Sequence, residues 1–250
     1  MIIGNAAAAA TVREFQNGGA VANMRLAVTE TWKKDGERQE RTEWVNVVVK
    51  NKVLAKMVGD KVKKGTKVFV QGALETRSYE KDGQTRYVTE LVVGMFDGSV
   101  TVLTEGGNAS MNKVVLVGNM GEEPQLRDFA NGGKVANFRI ATSTSYKKDG
   151  EYVDLTQWHN IAITNKGLAD IAGALLTKGT QVQIEGKLQT RSWTDSDGNT
   201  RYTTEVVVAP YAGEMNVISR GKRADGGNKS AASSESKAAT SQKDDDEIPF

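Results

Sequence analysis

The sequence predicts an all-β fold made of two small five-stranded barrels in tandem, each with one helix, followed by a disordered C-terminal tail. Three observations carry this reading. The chain is one unit written twice, over residues 1–104 and 112–219. Most of each copy alternates small or apolar with polar residues at the period of a half-buried strand. Residues 220–243 contain no aromatic residue and no Leu, Ile or Val, so they cannot offset the entropy of ordering.

The duplication comes first because it sets the domain count. A shift of 114 residues aligns FQNGGAVANMRLAVTETWKKDG (15–36) with FANGGKVANFRIATSTSYKKDG (129–150). The same shift pairs TEWVNVVVKNKVLAKM with TQWHNIAITNKGLADI, and KKGTKVFVQGALETRSY with TKGTQVQIEGKLQTRSW. One inserted residue near Asp197 moves the shift to 115 and pairs DGQTRYVTELVV with DGNTRYTTEVVV. Units of this size are too long for solenoid repeats and match small domains.

Within each copy the strands are read in order. Blocks such as RLAVTETW, TEWVNVVV, KVFVQGALETRSY and RYVTELVV alternate, as do Val182, Ile184, Gly186 and Leu188 against Gln181, Gln183, Glu185 and Lys187. Asn17-Gly18-Gly19, Asp35-Gly36 and Asp82-Gly83 supply the turns between them. One segment has helical spacing: Leu168, Ile171, Ala172, Leu175 and Leu176 form an apolar stripe that ends before Lys178-Gly179. Val53, Leu54, Met57, Val58 and Val62 do the same less regularly in the first copy. Three strands, a helix and further antiparallel strands describe a small closed barrel. Ala6–Ala10 replaces the Met-Gly-Glu-Glu-Pro turn of the second copy and is read as a rebuilt loop without chemistry. The first copy also begins two residues further along its first strand than the second, so its edge pairing is expected to differ. The Gly/Asn/Ser-rich residues 105–111 link the copies, which are expected to be separate barrels. Residues 220–243 form a disordered linker to the tip Asp244-Asp245-Asp246-Glu247-Ile248-Pro249-Phe250.

Composition removes most catalytic classes. The chain has 250 residues, 38% hydrophobic and 26% charged, without Cys and with a single His, His159. Disulfide frameworks, thiolate zinc sites and cysteine nucleophiles are therefore excluded, and no imidazole cluster is available for a metal. No apolar run approaches the roughly 18 residues that cross a bilayer, and no basic region precedes the N-terminal apolar residues, so a cytoplasmic protein is expected. Residues 1–104 carry 16 Lys+Arg against 12 Asp+Glu, whereas residues 105–220 carry 12 against 13. The first copy is the more basic surface, from which tighter polyanion binding by that copy is expected.

The segments MNKVVLVGNMGEEPQLR, NGGKVANF, Thr156 to His159, Gly186-Lys187-Leu188, Thr190 to Trp193 and Arg201 to Glu205 closely resemble bacterial single-stranded DNA-binding proteins. The terminal Asp-Asp-Asp-Glu-Ile-Pro-Phe is similar to that family's most specific signature. Two copies in one polypeptide resemble the architecture of Deinococcus and Thermus relatives. The resemblance implies OB-fold barrels that coat single-stranded DNA in replication, recombination and repair. It also implies a homodimer with four barrels, and a cytoplasmic, nucleoid-associated protein with no cofactor.

Single strands expose π-faces and phosphates, so a binding surface needs exposed aromatics interleaved with cations. Trp32, Trp44 and Tyr79 are the expected stacking residues of the first copy, and Tyr146, Trp158 and Trp193 those of the second, matching the family's stacking positions. Core packing is the competing reading for Trp44 and Trp158, which sit in alternating strands. Lys33, Lys34, Lys52, Lys64 and Arg77 are the expected phosphate contacts, with Lys147, Lys148, Lys166, Lys178 and Arg191 at the matching positions. Arg77 and Arg191 precede an aromatic by two residues and share its face on a strand. Lys50 and Thr164 stand where many family members carry a further aromatic, and Lys50 is read as a substitute phosphate contact. Lys33-Lys34-Asp35-Gly36 also reads simply as a hairpin tip.

At the C-terminal tip, carboxylates steer toward a basic patch while Ile248 and Phe250 fill an apolar slot, a design suited to recruiting proteins. An OB-type RNA- or tRNA-binding factor is the alternative that the barrels alone permit. A metal-dependent nuclease would need clustered carboxylates. Glu122-Glu123 and Asp195-Ser196-Asp197 are the nearest candidates, and neither recurs in the first copy. An interaction hub without DNA binding is the third reading, opposed by the retention of Trp and Lys positions in both copies.

Overall fold

The computed structural model describes residues 1–220, apart from 82, 96, 104–106, 108, 131, 149 and 197 and the side chains of 34, 81 and 146–148. The expected disordered linker and acidic tip therefore lie outside the described residues, except for Arg220.

The first copy runs β1 (Ile2–Ala6), β2 (Thr11–Glu14), β3 (Ala20–Lys34), β4 (Glu37–Val49), α1 (Lys52–Lys61), β5 (Lys67–Gln71), β6 (Ala73–Lys81), β7 (Gln84–Val93) and β8 (Ser99–Leu103). A short β9 (Met111–Asn112) follows. The second copy runs β10 (Val114–Met120), β11 (Gln125–Asp128), β12 (Lys134–Lys148), β13 (Glu151–Ile163), α2 (Lys166–Leu175), β14 (Gln181–Thr194), β15 (Thr200–Val208) and β16 (Glu214–Ser219).

Each sheet closes on itself. In the second copy the circuit runs β10–β12–β13–β15–β14 and returns to β10. In the first, β5 pairs with β1 and its continuation β6 pairs with β7, which runs parallel to β4. Closure makes one long strand serve two neighbours, and it must bend sharply between them. Gly72 and Gly186 occupy that bend. A Cβ there would lie 2.2 Å from the Val92 carbonyl oxygen or 2.6 Å from that of Val207, so no side chain fits.

The alternation read from the sequence is the burial pattern found. Val182, Ile184, Gly186 and Leu188 point inward, as do Leu26, Val28, Val45, Val47 and Val49 in the first barrel. One helix plugs each barrel between its third and fourth long strands. Asn51 and Asn165 cap the two helices identically, each accepting a hydrogen bond from the backbone N–H three residues on at 3.1 Å. The expected helical stripes need correction. Buried positions on α2 are Ala169, Ala172 and, at its C-cap, Leu176, whereas Ile171 and Leu175 are exposed; on α1, Ala55 and Val58 are buried and Val53 is exposed. Small alanines let the helix axis approach the barrel closely, so the buried stripe is narrower and rotated relative to the one the large residues suggested.

The copies are joined more closely than separate barrels. β9 adds to the first barrel's sheet, with Asn112 opposite Ile2 and Met111 opposite Ile3. The Asn112 side chain turns to the second barrel, accepting from the Leu188 N–H at 2.9 Å and donating to its carbonyl at 2.8 Å. The N-terminal ammonium of Met1 donates to the Lys113 carbonyl at 2.8 Å. As expected, the edge pairing differs between the copies. Val114–Val117 of β10 pairs only with β14 among the described residues, leaving Val115 and Val117 exposed.

Two further contacts are reciprocal. The Thr76 N–H donates to Gln157 Oε1 at 2.9 Å, and the Thr190 N–H donates to Glu43 Oε2 at 3.0 Å. Thr76 and Thr190 are equivalent under the repeat, and so are Glu43 and Gln157. Contacts that exchange in this way define a pseudo-twofold axis between the barrels.

Candidate nucleic-acid interface

The outer wall of each barrel is built by its second and third long strands. Because Leu26, Val45 and Val47 face inward, their neighbours Arg25 and Trp44 must face outward. In register, Ala27 lies opposite Trp44 and Arg25 opposite Asn46, which sets the arginine beside the indole. Arg25 Cζ is 4.8 Å from the Trp44 ring centroid, and the equivalent Arg139 is 5.2 Å from Trp158. Neither arginine has a carboxylate partner among the described residues. Trp44 is 46% exposed and Trp158 44%, so core packing is not their role. A cation over an exposed indole offers a stacking face and a phosphate contact at one place.

Of the other expected aromatics, Trp32, Tyr79 and Trp193 are also exposed, but they are distributed differently. Tyr79 joins Trp44 on the wall of a cleft between the barrels, with Arg77 5.9 Å from its ring. Trp32 points to the opposite face of the β3–β4 hairpin and lines a separate groove with Arg38, Lys67 and Lys187. Trp193 donates its indole N–H to Thr203 Oγ1 at 3.0 Å, which fixes the ring's orientation. The side chains of Tyr146, Lys147, Lys148 and Lys34 lie outside the description.

Several expected cations are already paired. Arg77 Nε lies 2.8 Å from Glu90 Oε2, and Arg191 Nε lies 3.0 Å from Glu205 Oε1. Those hydrogen bonds hold both guanidinium groups more firmly protonated than usual. Lys50 lies 2.9 Å from Glu75. Lys33, Lys52, Lys64, Lys166 and Lys178 are exposed, and none of them lines the inter-barrel cleft. Lys52 and Lys166 are the first residues of α1 and α2. Asp35 and Gly36 both adopt positive φ, 53° and 85°, so Lys33-Lys34 does flank a two-residue hairpin turn.

Sequence reasoning passed over Arg25, Arg139, Tyr87 and Tyr202. Their signal was present: each recurs at the repeat spacing, within VANMR/VANFR and TRYVTE/TRYTTE. It was read as strand pattern because an arginine or tyrosine on an alternating strand is ordinary surface.

Titratable chemistry is sparse. His159 is buried and hydrogen-bonds Thr142 through Nε2 at 2.9 Å, and burial pushes its pKa down to about 4, so it is neutral at physiological pH. Arg201 donates to Asp195 at 2.8 Å and holds that carboxyl below the usual carboxylate range. Among the described residues no three or more His, Cys, Asp or Glu side chains converge where a metal could be held. No described helix is long and apolar enough to cross a membrane.

A family model, the single-strand binding protein family, matches this chain twice, over residues 1–98 and 111–216. The chain belongs to that family. Its two matches coincide with the two barrels, and single-stranded DNA is accordingly its ligand. Among solved structures, the wild-type single-stranded DNA-binding protein of Thermus aquaticus is 24% identical to this chain, with a TM-score of 0.65, covering 90% of this chain and 94% of that one. A truncated, singly substituted variant of the same protein matches at 24% identity and a TM-score of 0.66, covering 90% and 95%. These likenesses establish the fold: two OB barrels in one chain.

Proposed function

We propose that the chain coats single-stranded DNA without regard to sequence, shields it during replication, recombination and repair, and recruits partner enzymes through residues 244–250. The observation that carries the first part is the duplicated pairing of an unneutralised arginine with an exposed tryptophan, Arg25 with Trp44 and Arg139 with Trp158. Such pairs grip a base by its π-face and its phosphate by charge, neither of which depends on which base is present. The remaining expected residues, Trp32, Tyr79, Trp193 and the exposed lysines, extend the surface beyond these anchors. The protein holds the strand without altering it.

Two chains pair in this reading to give four barrels. The edge of Val114–Val117 that faces away from β14 has no strand partner among the described residues and carries exposed Val115 and Val117, and such an open edge favours addition of a strand from a second copy.

The acidic tip steers toward basic surfaces while Ile248 and Phe250 fill an apolar slot, and the same carboxylates compete with DNA for the barrels' cations. Deleting the last seven residues is expected to strengthen oligo(dT) binding at low salt and to abolish capture of partner enzymes. Unchanged low-salt affinity would remove the competition, and unchanged capture would remove the recruiting role.

A further inference from the structure

The two barrels carry the same outward arginine and tryptophan, but the turns beside them differ. In each copy the turn after the first strand is tied to the backbone of its arginine. The Ala7 N–H donates to the Arg25 carbonyl at 2.9 Å, and the Gly121 N–H donates to the Arg139 carbonyl at 3.1 Å. The second turn also lies against the indole. A Cβ at Gly121 would sit 2.5 Å from a Trp158 ring carbon, so the Gly121 backbone packs directly on the ring. Any charge carried by the next two residues is therefore held beside the stacking face.

Those residues are Ala8 and Ala9 in the first copy and Glu122 and Glu123 in the second, and all four are exposed. Ala8 and Ala9 border a cavity of about 280 Å³ with Asn23, Arg25, Asn46 and Glu90. The repeat keeps that polar set, as Asn137, Arg139, Asn160 and Glu205. Glu90 and Glu205 are each neutralised by an arginine, Arg77 and Arg191. Arg25 is thus the excess charge beside the first turn. Beside the second, two carboxylates with no ion-pair partner among the described residues outweigh Arg139. Two residues of chain span at most about 7 Å, less than the screening length of about 8 Å at physiological salt, so both carboxylates act on a phosphate arriving next to Trp158.

We propose that Glu122 and Glu123 weaken the second barrel's hold on the DNA backbone, and that Ala8 and Ala9 leave Arg25 unopposed, so that a short strand engages the first barrel ahead of the second. The proposal rests on the single-strand reading and names the residues that rank the two barrels. The ranking follows from the turn, because the arginine, the tryptophan and the rest of the polar set are the same in both.

The test isolates each barrel within the full chain. In a Trp32→Ala/Trp44→Ala background, the fluorescence of Trp158 and Trp193 reports short oligo(dT), about 8 nucleotides long, on the second barrel. Adding Glu122→Gln and Glu123→Gln, which keep the side-chain shape and remove the charge, is expected to raise affinity about fivefold at low salt, and the gain should shrink as salt rises. In a Tyr146→Ala/Trp158→Ala background, Ala8→Glu/Ala9→Glu is expected to lower affinity by a similar factor. The control is Asp60→Asn/Glu214→Gln, which removes two exposed carboxylates that border neither the inter-barrel cleft nor the cavity beside Arg25. A gain no larger than the control's would reduce the effect to net charge and overturn the proposal, as would unchanged affinity. A wild-type chain that left oligo(dT) unbound would remove the single-strand reading itself, and the ranking with it.

Discussion

The two barrels share a backbone and differ in chemistry, position by position. Where the first buries Val45, the second buries His159. Glu43 reaches across the interface from the first barrel and neutral Gln157 from the second. Lys187 of the second barrel pairs with Glu30 of the first at 2.9 Å, whereas their repeat equivalents, Ala73 and Thr144, cannot form the mirror-image pair. Beyond the barrel, the first hairpin carries Arg38 and Arg41, and the second carries exposed Tyr152 and Leu155. What remains duplicated is the outward arginine, tryptophan and tyrosine set. In the proposed reading the shared residues hold the strand, whereas the divergent Glu43, Gln157, Glu30 and Lys187 form contacts between the barrels.

The largest effects follow from the shared set. Trp44→Ala and Trp158→Ala are each expected to lower oligo(dT) affinity by about 1 to 3 kcal/mol, the usual worth of one stacked base. The more basic first barrel should show the greater dependence, so Trp32→Ala/Trp44→Ala should cost more than Tyr146→Ala/Trp158→Ala in the same titration. Equal losses would make the barrels equivalent despite their different charge.

Next in size is a pH effect confined to the second barrel. His159 folds neutral, with its pKa lowered from 6.5 to about 4 by burial. This burial carries no protonation cost above pH 6.5, but as pH falls toward 4 the unfolded chain takes up a proton that the fold excludes, and stability drops by up to about 3 kcal/mol. Urea unfolding of wild type and His159→Val at pH 7 and pH 4.5 isolates this effect, since the variant carries the first barrel's residue at that position. A wild type no more acid-sensitive than the variant would mean that His159 charges within the fold without cost.

The smallest expected effect is at the one-sided ion pair. Glu30 and Lys187 are about a third exposed, so Lys187→Ala should destabilise the chain by at most about 1 kcal/mol in urea unfolding at low salt, and less at high salt. A loss that salt does not reduce would assign Lys187 a packing role instead.

Much of this was legible in the sequence, for identifiable reasons. The repeat gave the number of barrels, and period-two alternation gave the inward faces, because a strand with one buried side has no freedom to place Leu26 or Val45 elsewhere. The α2 stripe was read correctly at Ala172 and Leu176 but missed the buried Ala169, whose small side chain carries little hydropathic signal, and included Ile171 and Leu175, which are exposed. Trp44 and Trp158 stood out in the sequence and are exposed, but the arginines beside them did not stand out, since cross-strand register sets Arg25 beside Trp44 over a separation of 19 residues. Charge pairing was equally hidden. Arg77 and Lys50 looked available in sequence, but Glu90 faces Arg77 from the neighbouring strand β7, and Glu75 meets Lys50 from β6, two strands away from β4. The interface between copies escaped altogether, because its reciprocity exists only once both barrels are built.

The central claim, that exposed indoles stack on the bases of a single strand, is tested most directly by the intrinsic fluorescence of the four tryptophans. Titration with oligo(dT), with duplex DNA and RNA as controls across a salt series, is expected to give strong quenching specific to single-stranded DNA. That quenching should weaken as rising salt competes for the phosphates. Fluorescence that stays unquenched at saturating oligo(dT) would contradict the account, because Trp32, Trp44, Trp158 and Trp193 are each nearly half exposed.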